Sequence, residues 1–330
     1  MDWFRFNAGD FGYSFLSVLL EGIPFLLLGS VVSGIVDAYV SPERLAKALP
    51  KSKLGAVFVS GLLGLIFPLC ECGSVVVIRR FLKKGLPLGC AVSYMLAAPI
   101  VSPIVAFSTY AAFLGQNPLE MTVLRLALGY AIAVGVATLL QRLPERLILQ
   151  PEILGNGAGA TAGTEAKAQN RRGLRIGAMQ DGNTAASLEE ATQMAPTGKF
   201  QRALFSAASD FLDVAVFFVV GAALTSVLGT AVHHSVLEPF VAVPWSIFMS
   251  MIMAAAMALC STTDAFIAAT GFPAFPMTAK LAFLVFGPMF DLKLFWLYRM
   301  IFRPRVVAMI GIGLFLIIGL ICWRLNGIVF

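Results

Sequence analysis

Two short stretches interrupt the apolar sequence of this chain with groups that can do chemistry. The first is Phe67-Pro68-Leu69-Cys70-Glu71-Cys72-Gly73-Ser74. The second is Ala258-Leu259-Cys260-Ser261-Thr262-Thr263-Asp264-Ala265. Each sets a thiol and a carboxylate at the end of a hydrophobic segment. A carboxylate deep in a membrane costs roughly 2.5 kcal/mol or more unless it is paired, protonated or hydrated, so by default it marks a pathway or a proton relay. A second reading of Glu71 and Asp264 stands beside the first. Each caps a half-helix, whose free N–H groups favour a carboxylate.

Cys70 and Cys72 are spaced i, i+2. On a helix they would face apart, whereas in an extended tip they point to one side. With Cys260 they make three sulfurs, a donor set suited to a soft, thiophilic metal or metalloid. The plainer alternative is that small residues let two hairpin tips pack closely. The missing second Cys pair excludes a zinc ribbon, and the sequence calls for no resident metal or cofactor. Ser74, Ser261, Thr262 and Thr263 add hydroxyl donors around the same two stretches. Cys90 and Cys322 lie in apolar segments and read as buried small hydrophobes. His233-His234 has nothing nearby to complete a metal site.

What must position these groups is a membrane protein. Of 330 residues, 58% are hydrophobic and 13% charged, where a soluble chain carries roughly a quarter charged. The apolar runs are long and lack the alternation of an outer-membrane barrel, so the expected class is an all-α integral membrane protein in a lipid bilayer. Met1-Asp2-Trp3-Phe4-Arg5 lacks a basic signal-peptide start and Glu21 interrupts the first apolar run, so the first helix is expected to stay. The net charge of +6 sits in loops; it reports orientation, not nucleic-acid binding.

The expected spans follow in order. Residues 13–39 cross first, with a break-prone Glu21-Gly22-Ile23-Pro24. A basic connector runs from Ser41-Pro42 to Lys53, and residues 54–69 are apolar. Too few residues separate Cys72 from Arg79 for a span, which needs about 20. Residues 41–53 and 79–84 are both basic, hence both cytoplasmic. The segment between them is therefore a re-entrant hairpin with its tip at Cys70–Ser74 and hinges at Pro68 and Gly73. Residues 86–113 cross outward and are kinked or broken at Pro99 and Pro103; residues 121–141 return. Residues 143–203, rich in Gly, Ala, Thr and charge, read as a largely disordered cytoplasmic linker. In the second half, 207–231 span, 244–260 form a second hairpin limb, 277–298 cross through the hinge Gly287-Pro288, and 306–326 make the last span.

The halves align by spacing. Glu21 and Asp213 each precede a glycine, Gly29 or Gly221, by eight residues; Cys70 aligns with Cys260; Pro87 and Pro99 are twelve apart, as are Pro276 and Pro288. Three spans per half is odd, so the second half must enter from the other side. The predicted architecture is two inverted-topology repeats, 1–142 and 204–330, each of three transmembrane helices plus a re-entrant hairpin, joined by 143–203, with interrupted helices meeting near the midplane. The N-terminus is then outside. Glu21, Asp213 and Asp291 are coupling or pathway candidates. Asp291 and Lys293 are expected near the cytoplasmic end, paired or snorkelling.

The two motif stretches, with Gly85-Leu86-Pro87, Ala98-Pro99-Ile100-Val101-Ser102-Pro103 and Gly287-Pro288-Met289-Phe290-Asp291, resemble the predicted permeases of the DUF318 (UPF0718) family, which includes the ArsP organoarsenical efflux permeases. The likeness covers nearly the whole chain except 143–203. It implies a multi-pass permease of the bacterial inner membrane. In ArsP, trivalent methylated arsenic is held by thiols; the matching positions here are Cys70, Cys72 and Cys260.

The reading is a permease that moves a small solute or metalloid by alternating access and is not an enzyme. Glu71 and Asp264 bind a coupling proton or polarise the substrate, and the three thiols contact it. No Gly-x-x-x-x-Gly-Lys-Ser/Thr loop is present for ATP. One rival is a membrane-embedded thiol enzyme, although Cys70 and Cys72 are not a Cys-x-x-Cys pair. Another is a membrane subunit of a larger complex. A homo-oligomer is compatible with the same sequence.

Overall fold

Apolar runs of this length can satisfy their backbone inside a membrane only as helices, and helix is what forms. The computed structural model describes residues 8–39, 50, 52–67, 69–151, 199–231, 243–271 and 274–326. The connector 41–49, Lys51, the hinge residue Pro68, most of the expected linker (152–198), His233-His234 and Phe272-Pro273 lie outside the described residues.

Helix α1 (Ala8–Tyr39) keeps Pro24 inside it. The expected break at Glu21–Pro24 does not occur. Neighbouring helices hold a proline-bearing helix together in a membrane, and here α8 (Lys199–Ala231) lies along α1. The two run antiparallel: Gly34 meets Ala203 and Ala207, Ser33 donates to Asp210, and Gly22 meets the Phe218 ring.

Helix α2 (Lys53–Leu62) starts at Ser52, whose hydroxyl accepts from Gly55 N at 3.2 Å, and ends in a 3₁₀ turn, Leu63–Leu65. Helix α3 (Glu71–Lys83) follows a non-helical turn. It stops in a Schellman arrangement. Gly85 takes φ 90°, and the N–H groups of Gly85 and Leu86 return to the carbonyls of Leu82 and Phe81. Arg80 and Lys83 sit in its last turn, where cations favour the helix dipole.

The expected crossing 86–113 is two ten-residue helices in series, α4 (Leu88–Ala97) and α5 (Pro103–Ala112), with Pro103 in the first turn of α5. Pro99 lies in the gap between them. Then come α6 (Pro118–Leu140) and the short α7 (Glu145–Ile148). The second half has α9 (Trp245–Met257), a single turn α10 (Thr263–Phe266) running into a π turn (Ile267–Gly271), α11 (Met277–Met289), α12 (Leu292–Tyr298) and α13 (Pro304–Leu325). Pro288 stands in the last turn of α11, and the break falls two residues later, at Phe290-Asp291. Tyr298 OH donates to the Met289 carbonyl at 3.0 Å, so the interruption leaves that oxygen satisfied.

Among the described residues, five helical stretches are long and apolar enough to cross a membrane: Phe11–Ile35, Pro118–Leu140, Ala203–Val227, Met277–Tyr298 and Pro304–Leu325. Six were expected; the sixth is the divided α4–α5. Every residue of α4 is buried, as is α11 from Thr278 onward. Leu16, Leu20, Leu212, Val216, Ile312 and Leu316 on the long helices are exposed, as a lipid-facing surface requires. Neighbours repeat between halves: α2 packs on α4 and α4 on α6, while α9 packs on α11 and α11 on α13.

Two polar ties fix the frame. Arg80 reaches Asp210 at 2.7 Å and Ser206 at 2.6 Å, and Arg79 reaches Asp213 at 2.9 Å, which fastens α3 to α8. Residues 145–150 are ordered although the sequence places them in the linker. Gln150 N donates to Ile301 O and Arg303 N to Ile148 O, each at 2.9 Å. Helix α8 likewise begins at Lys199, inside the expected linker range.

Candidate functional site

The two motif stretches meet. A narrow cleft, with room for about one water molecule, is lined by Val18, Glu21, Gly22, Cys70, Glu71, Cys72, Phe218, Ala258, Cys260 and Lys293. Two close glycine contacts bring the long helices to it. A Cβ on Gly29 of α1 would fall 2.7 Å from Gly73 Cα, and one on Gly221 of α8 would fall 2.8 Å from Lys293 Cα. These are the two glycines that the sequence spacing matches between halves.

The tip geometry differs from the expected extended 70–74. Cys70 alone is extended (φ −67°, ψ 167°), and its sulfur accepts from Gly73 N at 3.4 Å, which makes it the cap of α3. Glu71, Cys72, Gly73 and Ser74 already belong to the first helical turn. Both thiols still reach the cleft because it lies across the end of the helix rather than along one face. Cys260 joins from the other tip, with Thr262 Oγ1 donating to its sulfur at 3.8 Å. All five cysteines are free, and Cys90 and Cys322 are buried in the apolar core as expected. Among the described residues, no three His, Cys, Asp or Glu side chains are placed to hold one metal ion. The thiols share a cleft, not a coordination sphere.

Glu71 is 2% exposed. Its Oε1 accepts from Lys293 Nζ at 3.2 Å, and its Oε2 has no partner among the described residues. Lys293 also donates to Ala258 O at 2.7 Å and lies 3.7 Å from Asp291 Oδ2. Asp291 and Lys293 are therefore paired, but deep at the site and not at the end of a span. Asp291 caps α12, with Leu294 N donating to Oδ1 at 2.6 Å. The side-chain caps are Cys70 for α3 and Asp291 for α12, while Glu71 and Asp264 stand in the first turns of α3 and α10.

Asp264 is 1% exposed, and its Oδ2 has no partner among the described residues. It lies against Gly287, where a Cβ would come within 2.9 Å of Oδ2. Gly287 thus gives the carboxylate room beside α11 and lies inside that helix, not at its break. Arg125, wholly buried in α6, donates to Thr109 Oγ1 at 2.7 Å and to Ser261 O at 2.8 Å. Each tip thus receives a cation from the opposite half of the chain: Lys293 on Glu71 and Arg125 on the Ser261 carbonyl.

The remaining candidates divide. Glu21 lines the cleft and accepts from Thr263 Oγ1 at 2.9 Å. Ser74 spends its hydroxyl on the Glu71 carbonyl at 2.8 Å. Asp213 is half-exposed on Arg79, away from the cleft. Pro99 and Pro103 bound the gap between α4 and α5. Arg125 is a residue that sequence reasoning passed over. A lone cation within an otherwise apolar span was the signal available.

Long apolar helices with lipid-facing apolar side chains, packed around buried interrupted helices, define a multi-pass membrane protein. The comparisons add the family. A family model described as "Predicted permease" (ArsP_1) matches residues 9–325. UPF0718 protein YcgR of Bacillus subtilis is 32% identical over 297 residues, 90% of each chain. A Streptococcus mutans protein named as a two-component membrane permease complex subunit is 28% identical over 294 residues, 89% of this chain and 87% of its own. No solved structure matches the chain significantly. The chain belongs to this predicted-permease family.

Proposed function

We propose that the chain is a permease of the bacterial inner membrane that moves a small solute by alternating access, with efflux of a thiophilic metalloid or organoarsenical as the leading substrate class. The observation that carries this reading is the single cleft lined by Cys70 and Cys72 from one tip and Cys260 from the other, beside the buried Glu71. Thiols recognise the cargo through soft donors. Intramembrane acids supply the coupling.

The architecture proposed with it is the inverted repeat with two re-entrant hairpins. The antiparallel pairing of α1 with α8 and the matched neighbours in the two halves support it. So does the crossing of cations between halves, Lys293 on Glu71 and Arg125 on the Ser261 carbonyl. In such a frame one half rocks against the other around the fixed tips. Residues 152–198 serve as the cytoplasmic connection.

The test is a growth screen of expressing and deleted strains against trivalent arsenicals and other toxic metalloids, followed by uptake into everted vesicles. Expression should confer resistance, and vesicles should accumulate the same compound. Equal growth and no accumulation across the panel would remove the metalloid reading. A second reading, a subunit that works with a membrane partner, is favoured by the name of the Streptococcus relative. Co-purification of a stoichiometric partner would establish it.

A further inference from the structure

The Lys293 ammonium occupies a place built for a cation by α3, the end of α9 and the cap of its own helix α12. Its oxygen neighbours are Glu71 Oε1 of α3 at 3.2 Å, the Ala258 carbonyl at 2.7 Å and Asp291 Oδ2 at 3.7 Å. Ala258 follows the last turn of α9 in the left-handed region, φ 44° and ψ 47°. Its carbonyl stands where the helix dipole is negative and cations are favoured. Two of the carboxylate oxygens there, Glu71 Oε2 and the same Asp291 Oδ2, have no hydrogen-bond partner among the described residues, although both acids are 2% exposed or less. A buried carboxylate oxygen without a donor is costly. The site therefore offers two carboxylates and a helix-end carbonyl to one ammonium.

That ammonium is held on a flexible four-carbon stem, while its backbone is fixed. Gly221 of α8 packs so closely that a Cβ there would lie 2.8 Å from Lys293 Cα. Only the side-chain end can withdraw, toward the narrow cleft that Lys293 also lines.

We propose that Glu71, Asp291 and the Ala258 carbonyl form a binding site for a small monovalent cation, alkali or primary ammonium, and that Lys293 fills it as a tethered stand-in when it is empty. Its role rests on the transport reading above; its existence does not. In a permease it is the coupling-ion site, separate from the thiols that hold the cargo. An empty carrier must reorient without baring buried carboxylates. Lys293 neutralises them for that step, and an entering cation releases it.

The test is the thermal unfolding midpoint of the purified full-length protein in sodium, methylammonium or tetramethylammonium chloride at constant ionic strength. Lys293→Ala vacates the site. At ten times Kd the bound cation should raise its midpoint by about 3 °C, and tetramethylammonium, bulky and without N–H donors, should not. A response to sodium alone identifies an alkali site, and one to methylammonium alone an ammonium site. Glu71→Gln in the same background should abolish either. In the wild type the same cations should act only at concentrations about tenfold higher or more, because Lys293 competes for the same oxygens. Recovery of folded Lys293→Ala only in sodium or methylammonium would be the same result seen as rescue. If that variant is recovered in no salt, the wild type decides. Equal midpoints in all three salts, or a cation effect that persists in Glu71→Gln, overturns the site. Cation binding that survives while vesicles carry no flux would leave the site and remove its coupling role.

Discussion

Arg125 is anchored by both terminal nitrogens, one on Thr109 and one on the carbonyl of Ser261 in the second tip. Removing it strips the tip of a donor. Hydrogen bonds to a charged group contribute about 1.5–3 kcal/mol each, so losing both in Arg125→Met should lower thermal stability in detergent by about 3 kcal/mol or more. Arg125→Lys should recover only part, since an ammonium lacks the fork that spans two acceptors. A wild-type unfolding midpoint in Arg125→Met would show that the guanidinium does not hold the tip. The acids themselves call for a different measurement. Because Cys70 and not Glu71 caps α3, a capping defect no longer accounts for a change at Glu71. Glu71→Gln and Asp264→Asn should fold and insert while losing more than about tenfold of the flux of whichever metalloid the growth screen identifies, as expected where intramembrane acids carry coupling. Undiminished flux in both amides would end the coupling role. At this scale the sequence was informative about acids and thiols, whose types stand out in an apolar run. It was poor about Lys293 and Arg125. Their partners lie 222 and 136 residues away, and no local pattern records such a pairing.

Interrupted helices are the elements that place these groups, and close backbone approach sets where they stop. Gly29 of α1 faces Gly73 at a distance no side chain fits. Gly29→Val should push α1 off α3 and cost about 2 kcal/mol or more through overpacking, read as lower yield and a lower unfolding midpoint. Gly135 of α6 meets nothing within 4 Å, so Gly135→Ala should be neutral or stabilise by up to ~1 kcal/mol from helix propensity. Equal behaviour of the two variants would mean that the α1–α3 contact does not limit packing. Proline positions forecast the gap between α4 and α5 because ring and missing N–H act locally. The same rule failed at Pro24, where α8 supports an unbroken α1, and was displaced at Pro288, where the chain finishes its turn before Asp291 caps the next helix. Tertiary neighbours decide such cases, and they are not written near the proline.

Over the whole molecule, the ends of the elements gather into separate polar clusters. Arg80, Ser206, Asp210 and Ser33 form one; Gln116, Ala269 and Lys280 form another, with Lys280 donating to Gln116 at 2.7 Å and Gln116 to Ala269 O at 3.3 Å. Docking of 145–150 on 299–303 ties the end of the first half to the second. Replacing residues 152–198 by a Gly/Ser sequence of equal length should therefore leave folding and flux intact, whereas extending the replacement through 145–151 should lower the yield of folded protein. Loss of correctly inserted protein in the shorter replacement would assign that segment a structural part.

Sidedness is the sharper test of the inverted arrangement. Helix α6 has 23 residues, roughly 34 Å at 1.5 Å per residue, enough to cross a hydrocarbon core of about 30 Å. Positions before and after it should thus face opposite compartments. The proposed arrangement puts the basic residues at 79–84, 142–146 and 299–305 together on the cytoplasmic side. Lys84→Cys, Arg146→Cys and Arg305→Cys should all react with a membrane-impermeant maleimide in everted vesicles and be protected in intact cells. Gly115→Cys and Gly271→Cys should show the reverse; neither glycine is crowded, so both substitutions should fold. The five native thiols give the background to subtract, and the four that are buried should contribute little. Labelling of Lys84→Cys and Gly115→Cys from one side would put both ends of the 86–113 segment in a single compartment. The first hairpin would then have to be a full crossing, and the two halves could not be inverted copies.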